Sequence, residues 1–319
     1  MKIVILDTGT MGEDMEFSSI ERLGECTKYH SSSKEEIPQR IKDADIVITN
    51  KVHLRRDVLS FAQNLKLICV FAVGYNNIDI EYCKEHNIRV RNVPGYCTES
   101  VCQHTFALLF ALIENIRYYD DFVKNGAYSE SGVANHLGKP FFEISGKKWG
   151  IIGLGAIGRA VADCATAFGA KVSYSSISGV AREEKYENIP LEKLLRESDI
   201  ITVHAPLDEK TTGLIGEKEL SMMKKEALVV NVGRGAIIDE KALADAVNNG
   251  VIAGAALDVY SVEPPEKDAP ILSIKNHERV LYSPHIAWAS VEARRRCISM
   301  TAENIEAFIG GKDCRDVWS

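Results

Sequence analysis

Three charged or titratable side chains follow apolar segments in the second half of the chain. Arg234 comes directly after Asn231-Val232-Gly233, Glu263 stands before a proline, and His285 follows Ser283-Pro284. The planar fork of an arginine can bind a carboxylate at two points, and a histidine can give or take a proton near neutral pH. Each residue alone is more often an ion pair, a turn or a packed structural residue. The three together are candidates for binding and protonating an acidic ligand.

A glycine-rich loop, Gly153-Leu154-Gly155-Ala156-Ile157-Gly158, lies between an apolar strand candidate and a helical segment. In such a βα turn the first glycine permits the tight turn, the second lets the backbone approach a pyrophosphate, and the third lets the helix pack closely on the strand. Exposed amides at the helix N-terminus then favour an anionic diphosphate. The pattern is weak alone, but in this context it predicts a bound dinucleotide rather than an empty turn.

The next predicted strand bears on which dinucleotide is bound. Sheets that bind NAD usually end this strand with an acid that hydrogen-bonds the ribose, whereas this chain reads Tyr174-Ser175-Ser176-Ile177-Ser178. Ser176 and Ser178 can donate hydrogen bonds to a hydroxyl or to a phosphate, so both NAD and NADP stay open as cofactors. Arg182 is either a further phosphate contact or a surface residue.

Short apolar runs that alternate with amphipathic helical patterns must position these residues, and the alternation predicts βα units in parallel sheets. The predicted strands are 2–6, 45–49, 65–72 and 89–92, then 148–153, 171–175, 199–204, 227–232, 253–258 and 279–283. Helical spacing covers 98–123, between the two groups of strands, and Val291–Ile309 near the end. The two groups echo each other in sequence, which indicates two related doubly wound modules. Such sheets place ligands at the carboxyl ends of their strands, where Arg234, Glu263 and His285 are expected.

Composition limits the classes of function. A chain of 319 residues, 45% hydrophobic and 26% charged, suits two ordinary globular domains. The formal net charge of -7 gives no general attraction to nucleic acid or to an anionic membrane. The N-terminal apolar run is too short for a signal sequence, and no apolar stretch approaches the roughly 20 residues that span a bilayer, so we expect a cytoplasmic protein. Eight cysteines without a C-x-x-C pair are expected to be free thiols, and no metal site is expected.

In combination these motifs resemble the D-2-hydroxyacid dehydrogenase family over essentially the whole chain. The motifs are the glycine loop at 153–158, Val203-His204-Ala205-Pro206, Asn231-Val232-Gly233-Arg234-Gly235, Leu257-Asp258-Val259 with Glu263-Pro264, and Ser283-Pro284-His285. The segments 92–101 and 285–290 resemble the glycerate dehydrogenase or hydroxypyruvate reductase branch. The resemblance implies an α/β fold of two doubly wound parallel-sheet domains. Residues 1–97 plus 286–319 would form a discontinuous flavodoxin-like substrate domain, and residues 98–285 a Rossmann NAD(P)-binding domain.

The same resemblance implies a catalytic triad. His285 is the acid that protonates the carbonyl oxygen of a 2-oxo acid, and Glu263 holds its tautomer. Arg234 binds the carboxylate and the carbonyl while a nicotinamide delivers hydride to C2. These roles fit the chemistry of the residue types. The implied substrates are hydroxypyruvate and glyoxylate, which give D-glycerate and glycolate.

The resemblance also implies positions that contact the cofactor and the substrate. Besides Gly153, Gly155 and Gly158, the expected cofactor contacts are Thr98, Ala156, Ile157, Ser176, Ser178, Pro206, Thr211, Val232 and Asp258, the last as acceptor from the nicotinamide carboxamide. The expected substrate contacts are Arg234, His285, the backbone amides of Val73 and Gly74, and Trp288 of the same or a neighbouring subunit. His204 is expected beside the adenine, and His104 is expected to pack or cap. A homodimer formed through the linking helix is expected as well.

Other functions stay open at this point. A bulkier 2-oxo acid, or the substrate of a short-form phosphoglycerate dehydrogenase, would use the same triad. Formate dehydrogenases of this architecture carry glutamine where Glu263 stands, and L-specific lactate and malate dehydrogenases place their fingerprint near the N-terminus, so both are disfavoured. A non-enzymatic NAD-sensing protein of the corepressor type is a different class that keeps the fold and the catalytic residues.

Overall fold

The computed structural model describes residues 1–177, 179, 184–312 and 315–318. Backbone contacts divide the chain into two compact units, Met1–Cys97 with Ala289–Ser319 and Thr98–Trp288. Residues 286–288, which the sequence assigned to the first unit, group with the second because the amides of Ile286 and Ala287 donate hydrogen bonds to Asp258. Within the described ranges, no helix is both long enough and apolar enough to cross a membrane.

The described part of the first unit is built on a five-stranded parallel sheet in the order β2-β1-β3-β4-β5. Its strands are β1 (Lys2–Ile5), β2 (Glu25–Lys28), β3 (Ile46–Thr49), β4 (Leu67–Val70) and β5 (Arg89–Arg91). Its helices are α1 (Ser18–Glu21), α2 (Ile37–Ile41), α3 (Arg56–Leu59), α4 (Ile80–Glu85) and α12 (Val291–Ile309). This is the flavodoxin-like strand order, so the predicted fold of this unit is confirmed.

Burial explains which strands of this sheet were predictable. All four residues of β3 and all four of β4 are buried, as expected for central parallel strands covered on both faces. The sequence analysis missed β2, because its residues lie at the sheet edge, are largely exposed and form no apolar run.

The C-terminal helix α12 returns to this first unit. Arg294 at its start donates to the Asp14 carboxylate at 2.5 Å, and the buried Arg91 of β5 donates to the Asn304 carbonyl at 2.5 Å. Its apolar face is buried through Cys297 and Ile305. These contacts make the unit discontinuous in sequence.

The described part of the second unit is built on a seven-stranded parallel sheet in the order β12-β11-β10-β9-β6-β7-β8. Its strands are β6 (Lys148–Ile152), β7 (Lys171–Ser175), β8 (Glu187–Asn188), β9 (Ile200–Val203), β10 (Leu228–Asn231), β11 (Gly254–Leu257) and β12 (Val280–Tyr282). Its helices are α5 (Thr98–Ile113), α6 (Ile116–Lys124), α7 (Ala127–Glu130), α8 (Ala156–Ala167), α9 (Leu191–Glu197), α10 (Glu217–Met222) and α11 (Glu240–Asn248). From β8 to β11 this is the Rossmann order 3-2-1-4-5-6, with β12 added at one edge. The predicted Rossmann fold is confirmed, and the exposed two-residue edge strand β8 is the element that the sequence analysis missed.

The linking helix is not continuous over 98–123 as the sequence predicted. It ends at Ile113 and restarts at Ile116, because Asn115 adopts a left-handed conformation with φ of 50°. The first piece, α5, packs on the sheet through Phe106 and Trp149, whose ring centroids are 5.2 Å apart. The indole N–H of the buried Trp149 donates to Thr202 Oγ1 at 3.1 Å, so the core polar group is satisfied.

Candidate active site

The candidate catalytic residues follow three adjacent strands of the second sheet. Arg234 comes after β10, Asp258 and Glu263 after β11, and His285 after β12. Neighbouring strands are about 4.8 Å apart, and parallel strands end at the same edge, so the loops that carry these side chains are neighbours.

His285 and Glu263 form a direct pair. His285 Nδ1 lies 2.5 Å from Glu263 Oε2, and the other oxygen, Oε1, accepts the backbone N–H of Tyr260 at 3.0 Å. The side chains are 23% and 33% exposed, so the pair is accessible and only partly screened by solvent. Glu263 is therefore more than part of a Glu-Pro turn, since its carboxylate holds the imidazole.

The backbone of His285 is held in a left-handed conformation. Its φ is 54°, a region that costs a residue with a Cβ about 1–2 kcal/mol. Its N–H donates to the carbonyl of Asp258 at 2.8 Å and to that of Ser283 at 3.1 Å, and its carbonyl accepts the indole N–H of Trp288 at 2.9 Å. Such a conformation persists only where the surroundings over-determine it. Trp288 thus supports the His285 loop, and its predicted substrate contact stays a prediction.

Asp258 is a buried anchor, with 1% of its surface exposed. Its Oδ1 accepts the Ser283 hydroxyl at 2.6 Å and the Ile286 N–H at 2.9 Å, and its Oδ2 accepts the Ala287 N–H at 2.8 Å. Hydrogen bonds to a carboxylate are the strong ones. The cofactor contact predicted for this residue stays a prediction. Its role in holding the loop after β12 was not predicted from the sequence.

Arg234 presents an unneutralised guanidinium. One terminal nitrogen donates to the Gly233 carbonyl at 2.7 Å, and no carboxylate within the described ranges forms an ion pair with it. The Asn231 side chain fixes its backbone by donating to the Arg234 carbonyl at 3.0 Å. A Cβ on the next residue, Gly235, would lie 1.9 Å from the backbone of Tyr260, so the loops after β10 and β11 are tightly packed. Among the residues that the structure describes, Arg234 thus does not form the surface ion pair that would compete with a binding role.

The glycine loop has the geometry that its sequence predicted. Gly153 has a φ of 90°, and a Cβ on Gly158 would lie 2.3 Å from the Gly153 carbonyl oxygen. A Cβ on Gly155, in contrast, meets nothing within 4 Å. Ala156 and Ile157 are the first residues of α8, whose N-terminal amides therefore border open space. A diphosphate fits this place.

His204, after β9, is a partly exposed residue whose two ring nitrogens are buried. Neither of its ring nitrogens has a hydrogen-bond partner in the part of the chain that the structure describes. Burial lowers the pKa of the imidazole to about 3, so the ring is neutral. Unpaired buried polar atoms call for an explanation, and a bound ligand that completes their hydrogen bonds would supply one. The residues at this edge thus fit a bound dinucleotide.

The other predicted cofactor positions lie along the same unit. Thr98 begins α5, Val232 is buried after β10, and the buried Thr211 donates its hydroxyl to the Pro206 carbonyl at 2.7 Å. Ser176 follows β7, and its backbone N–H donates to the Asn188 side chain at 3.2 Å. Ser178 and Arg182 lie outside the described residues. Within the described ranges no three His, Cys, Asp or Glu side chains group as metal ligands.

Val73 and Gly74 follow β4 in the first unit. Val73 is 40% exposed, and among the described residues no acceptor takes the backbone N–H of either residue. The same unit has a cavity of about 780 Å³ where β1, β2 and β3 end, lined by Thr10, Ser32 and Val52 among others. Val73 and Gly74 do not line that cavity.

A hydrogen-bonded network that the sequence did not predict joins α5 to the His285 loop. His104 Nε2 lies 2.9 Å from Ser283 Oγ, and Ser100 Oγ donates to the Ala287 carbonyl at 2.7 Å. Ser283 belongs to the motif Ser283-Pro284-His285, but nothing in the sequence indicates that it contacts a residue of α5, which lies far from it along the chain.

Known proteins resemble the whole chain. The family model "D-isomer specific 2-hydroxyacid dehydrogenase, NAD binding domain" matches residues 106–287. A hydroxypyruvate reductase of Blautia hydrogenotrophica is 38% identical over 98% of this chain and 98% of its own. A glycerate dehydrogenase of Methylorubrum extorquens is 36% identical over 98% and 97%. The solved structure of an NADPH-dependent glyoxylate/hydroxypyruvate reductase from Sinorhizobium meliloti, in complex with NADP and malonate, is 25% identical, covers 99% of this chain and 95% of that one, and has a TM-score of 0.84.

Proposed function

The chain belongs to the D-isomer specific 2-hydroxyacid dehydrogenase family, and we propose that it reduces hydroxypyruvate or glyoxylate to D-glycerate or glycolate. Family membership makes it an NAD(P)-dependent oxidoreductase and confirms the predicted branch. The observation that carries the proposal is the contact of His285 with Glu263, 2.5 Å long, in the loops after two adjacent strands. The relatives named for these substrates support the choice of substrate.

His285 is the proposed proton donor. When bound, the reduced nicotinamide supplies the hydride that adds to C2. The Nδ1–H of His285 donates a hydrogen bond to Glu263, which leaves the proton on Nε2 to be delivered to the carbonyl oxygen. The second Glu263 oxygen is fixed by the Tyr260 N–H, so the carboxylate and the imidazole keep one orientation.

Arg234 is the proposed carboxylate anchor. Its guanidinium has no carboxylate partner among the described residues, and its planar fork matches a carboxylate. Positioned against C2, it also polarises the carbonyl and stabilises the alkoxide that forms. The backbone N–H groups of Val73 and Gly74, which no acceptor takes among the described residues, are proposed as further donors to the substrate carboxylate.

The cofactor choice rests on the end of β7. Ser176 stands where an acid would repel a 2′-phosphate, so we expect NADPH as well as NADH to be used. The solved relative that carries NADP supports this expectation. The ratio of kcat/KM values with the two cofactors measures it.

The test is a matrix of 2-oxo acids against NADH and NADPH, with hydroxypyruvate, glyoxylate, pyruvate, phenylpyruvate and phosphohydroxypyruvate as substrates. We expect the highest kcat/KM with hydroxypyruvate or glyoxylate. A preference for phenylpyruvate or for the phosphorylated acid would replace the substrate with one of the alternatives. Cofactor binding without turnover of any 2-oxo acid would overturn the proposal in favour of a sensor.

A homodimer is proposed from the surface of the segment 116–141. Ile116, Val123, Val133, Leu137 and Phe141 are all exposed there, and Leu137 is 87% exposed. Large exposed apolar side chains in one segment are typical of an interface, and most soluble oligomers are closed pairs of identical chains. Light scattering should give a dimer that Leu137→Glu weakens, and a monomeric wild type would overturn this. The expected cytoplasmic location stays a prediction.

A further inference from the structure

The loop that carries His285 is held from two directions. Asp258, at the end of β11, accepts the Ser283 hydroxyl and the N–H groups of Ile286 and Ala287, as described above. From the other side, α5 contributes His104 to Ser283 and Ser100 to the Ala287 carbonyl. The α5 residues are four positions apart, so both lie on the same face of the helix.

Proton counting fixes the direction of these hydrogen bonds. Ser283 has one hydroxyl proton, and its Oγ lies 2.6 Å from the Asp258 carboxylate, the stronger acceptor. His104 Nε2, 2.9 Å from the same Oγ, must then carry a proton and donate it. The chain of donors runs from His104 through Ser283 to Asp258. The structure therefore assigns His104 the tautomer protonated on Nε2.

The hydrogen bonds that run from His104 through Ser283 to Asp258 also restrain the backbone of His285. Both carbonyls that accept the His285 N–H belong to residues of this hydrogen-bonded series, Asp258 and Ser283. The left-handed φ of 54° at His285 needs such restraints, since it costs energy that a relaxed loop would recover. Asp258 and Ser283 are 1% and 7% exposed, so bulk water does not replace a hydrogen bond that either of them loses.

We infer that His104 is a positioning residue for His285, acting through Ser283 and Asp258. The inference rests on the proposed function, in which His285 delivers a proton to the substrate. Among the described residues, His104 is hydrogen-bonded to Ser283 and not to the His285 imidazole or the Glu263 carboxylate, so its effect is on where His285 stands. A displacement of about 1 Å in a reacting group can cost a hundredfold in rate.

The first test compares His104→Leu with His104→Gln. Leucine removes the donor, and glutamine keeps a neutral donor near the position of Nε2. We expect kcat with hydroxypyruvate to fall about ten- to a hundredfold in His104→Leu and to recover to within about threefold of wild type in His104→Gln. The dissociation constant of the cofactor should change by less than about twofold in both variants. Gln103→Leu, on an exposed position of the same helix, is the matched control and should keep the wild-type kcat.

A second variant keeps the test decisive if His104→Leu is poorly folded. Ser283→Ala removes the middle of the chain, so the double variant with His104→Gln should be no better than Ser283→Ala alone. Rescue by glutamine in the absence of the serine hydroxyl would overturn the inference. Wild-type kcat in His104→Leu, or equal losses in the leucine and glutamine variants, would overturn it as well.

A readout on the cofactor-free protein separates this inference from the proposed function. Nitrogen-15 spectra of the histidine rings should show His104 protonated on Nε2 and should show the His285 signals shifted or broadened in His104→Leu but not in Gln103→Leu. A His104 ring protonated only on Nδ1 would contradict the donor chain. If the spectra agree and no 2-oxo acid is turned over, the proposed function fails while the positioning contact stands.

Discussion

The two sheets each use one buried aspartate to cap the loop of an adjacent strand. In the first unit Asp7, after β1, accepts the backbone N–H groups of residues 50–52, which follow β3. In the second unit Asp258, after β11, accepts those of residues 286–287, which follow β12. Both aspartates are almost fully buried, at 3% and 1% exposure.

What the capped loops carry is different. In the first unit the loop after β3 borders an open cavity that Asp7 also lines. In the second unit the loop after β12 is also bound by Ser100 and His104 of α5, and it carries His285 paired with Glu263. A capped loop by itself stabilises the fold. The loop after β12 is held by α5 as well, and we propose that this second set of contacts positions His285 for chemistry.

The largest difference between the two units is expected when the histidine that follows a strand is removed from each and kcat is compared. His285→Ala should lower kcat by about a hundredfold or more, since general acid catalysis contributes at least that much. His30, after β2, is an exposed histidine that faces Glu13 at 3.2 Å, and His30→Ala should keep kcat within about twofold. Steady-state kinetics with hydroxypyruvate measures both. Similar losses of kcat in the two variants would contradict the assignment of the chemistry to the loop after β12.

Removal of either aspartate should destabilise the unit that contains it, but only the removal of Asp258 should lower kcat. Asp7→Ala and Asp258→Ala each leave buried N–H groups without an acceptor, at a cost of about 1–3 kcal/mol. Denaturant unfolding should show that loss in both variants. At a pH where both are folded, kcat should fall in Asp258→Ala and stay near the wild-type value in Asp7→Ala. An equal kcat in the two variants would contradict a role of Asp258 in holding His285.

The stability of the cofactor-free protein should fall on acidification through His204. Burial holds its pKa at about 3 in the folded chain, against 6.5 in the unfolded chain. The unfolded chain therefore takes up a proton below 6.5 that the folded chain refuses, so stability is present above that pH and is lost as pH falls toward 3. Linkage puts the loss between pH 7 and pH 5 at about 2 kcal/mol.

His204→Leu should flatten this dependence in urea unfolding, and His277→Leu, at an exposed position, should preserve it. An unchanged slope in His204→Leu would mean that the ring is protonated in the folded protein.

The contribution of Asp7 to the free energy of unfolding should change with pH in the opposite direction and by a smaller amount. Burial raises its pKa above 3.8, opposed by the backbone N–H groups of Lys51, Asn50 and Val52 and by the Thr49 hydroxyl. The folded chain thus binds this proton more tightly than the unfolded chain, so the contribution is full below 3.8 and declines as pH rises through the folded value. The stability of wild type minus that of Asp7→Asn should therefore fall with rising pH, apart from a constant offset. A rising difference would show that the hydrogen bonds outweigh burial.

The sequence predicted the architecture well because its signal is local. Apolar runs such as β3 and glycines such as Gly153 report burial and backbone conformation directly. The exposed edge strands β2 and β8 were missed because pairing with one neighbour needs no apolar pattern. The break at Asn115 was missed because the apolar spacing continues across it.

The sequence predicted which residues the structure brings together at the candidate site, but not the contacts that support them. The pairing of Glu263 with His285 followed from the family resemblance, and the two side chains are in contact in the structure. The contact of His104 with Ser283 joins residues 179 positions apart, and no periodicity in the sequence signals it. The predicted cofactor contact of Asp258 gave no hint that three protein donors already engage its carboxylate.

The most direct test of the central claim follows the hydride. Hydroxypyruvate is reduced with NADH or NADPH deuterated at the reactive position of the nicotinamide, and the product is examined for configuration and label. The account predicts D-glycerate with deuterium at C2, one for each cofactor molecule oxidised, and with the proton on its new hydroxyl drawn from solvent through His285. L-glycerate, an unlabelled C2, or no oxidation of either cofactor would contradict it.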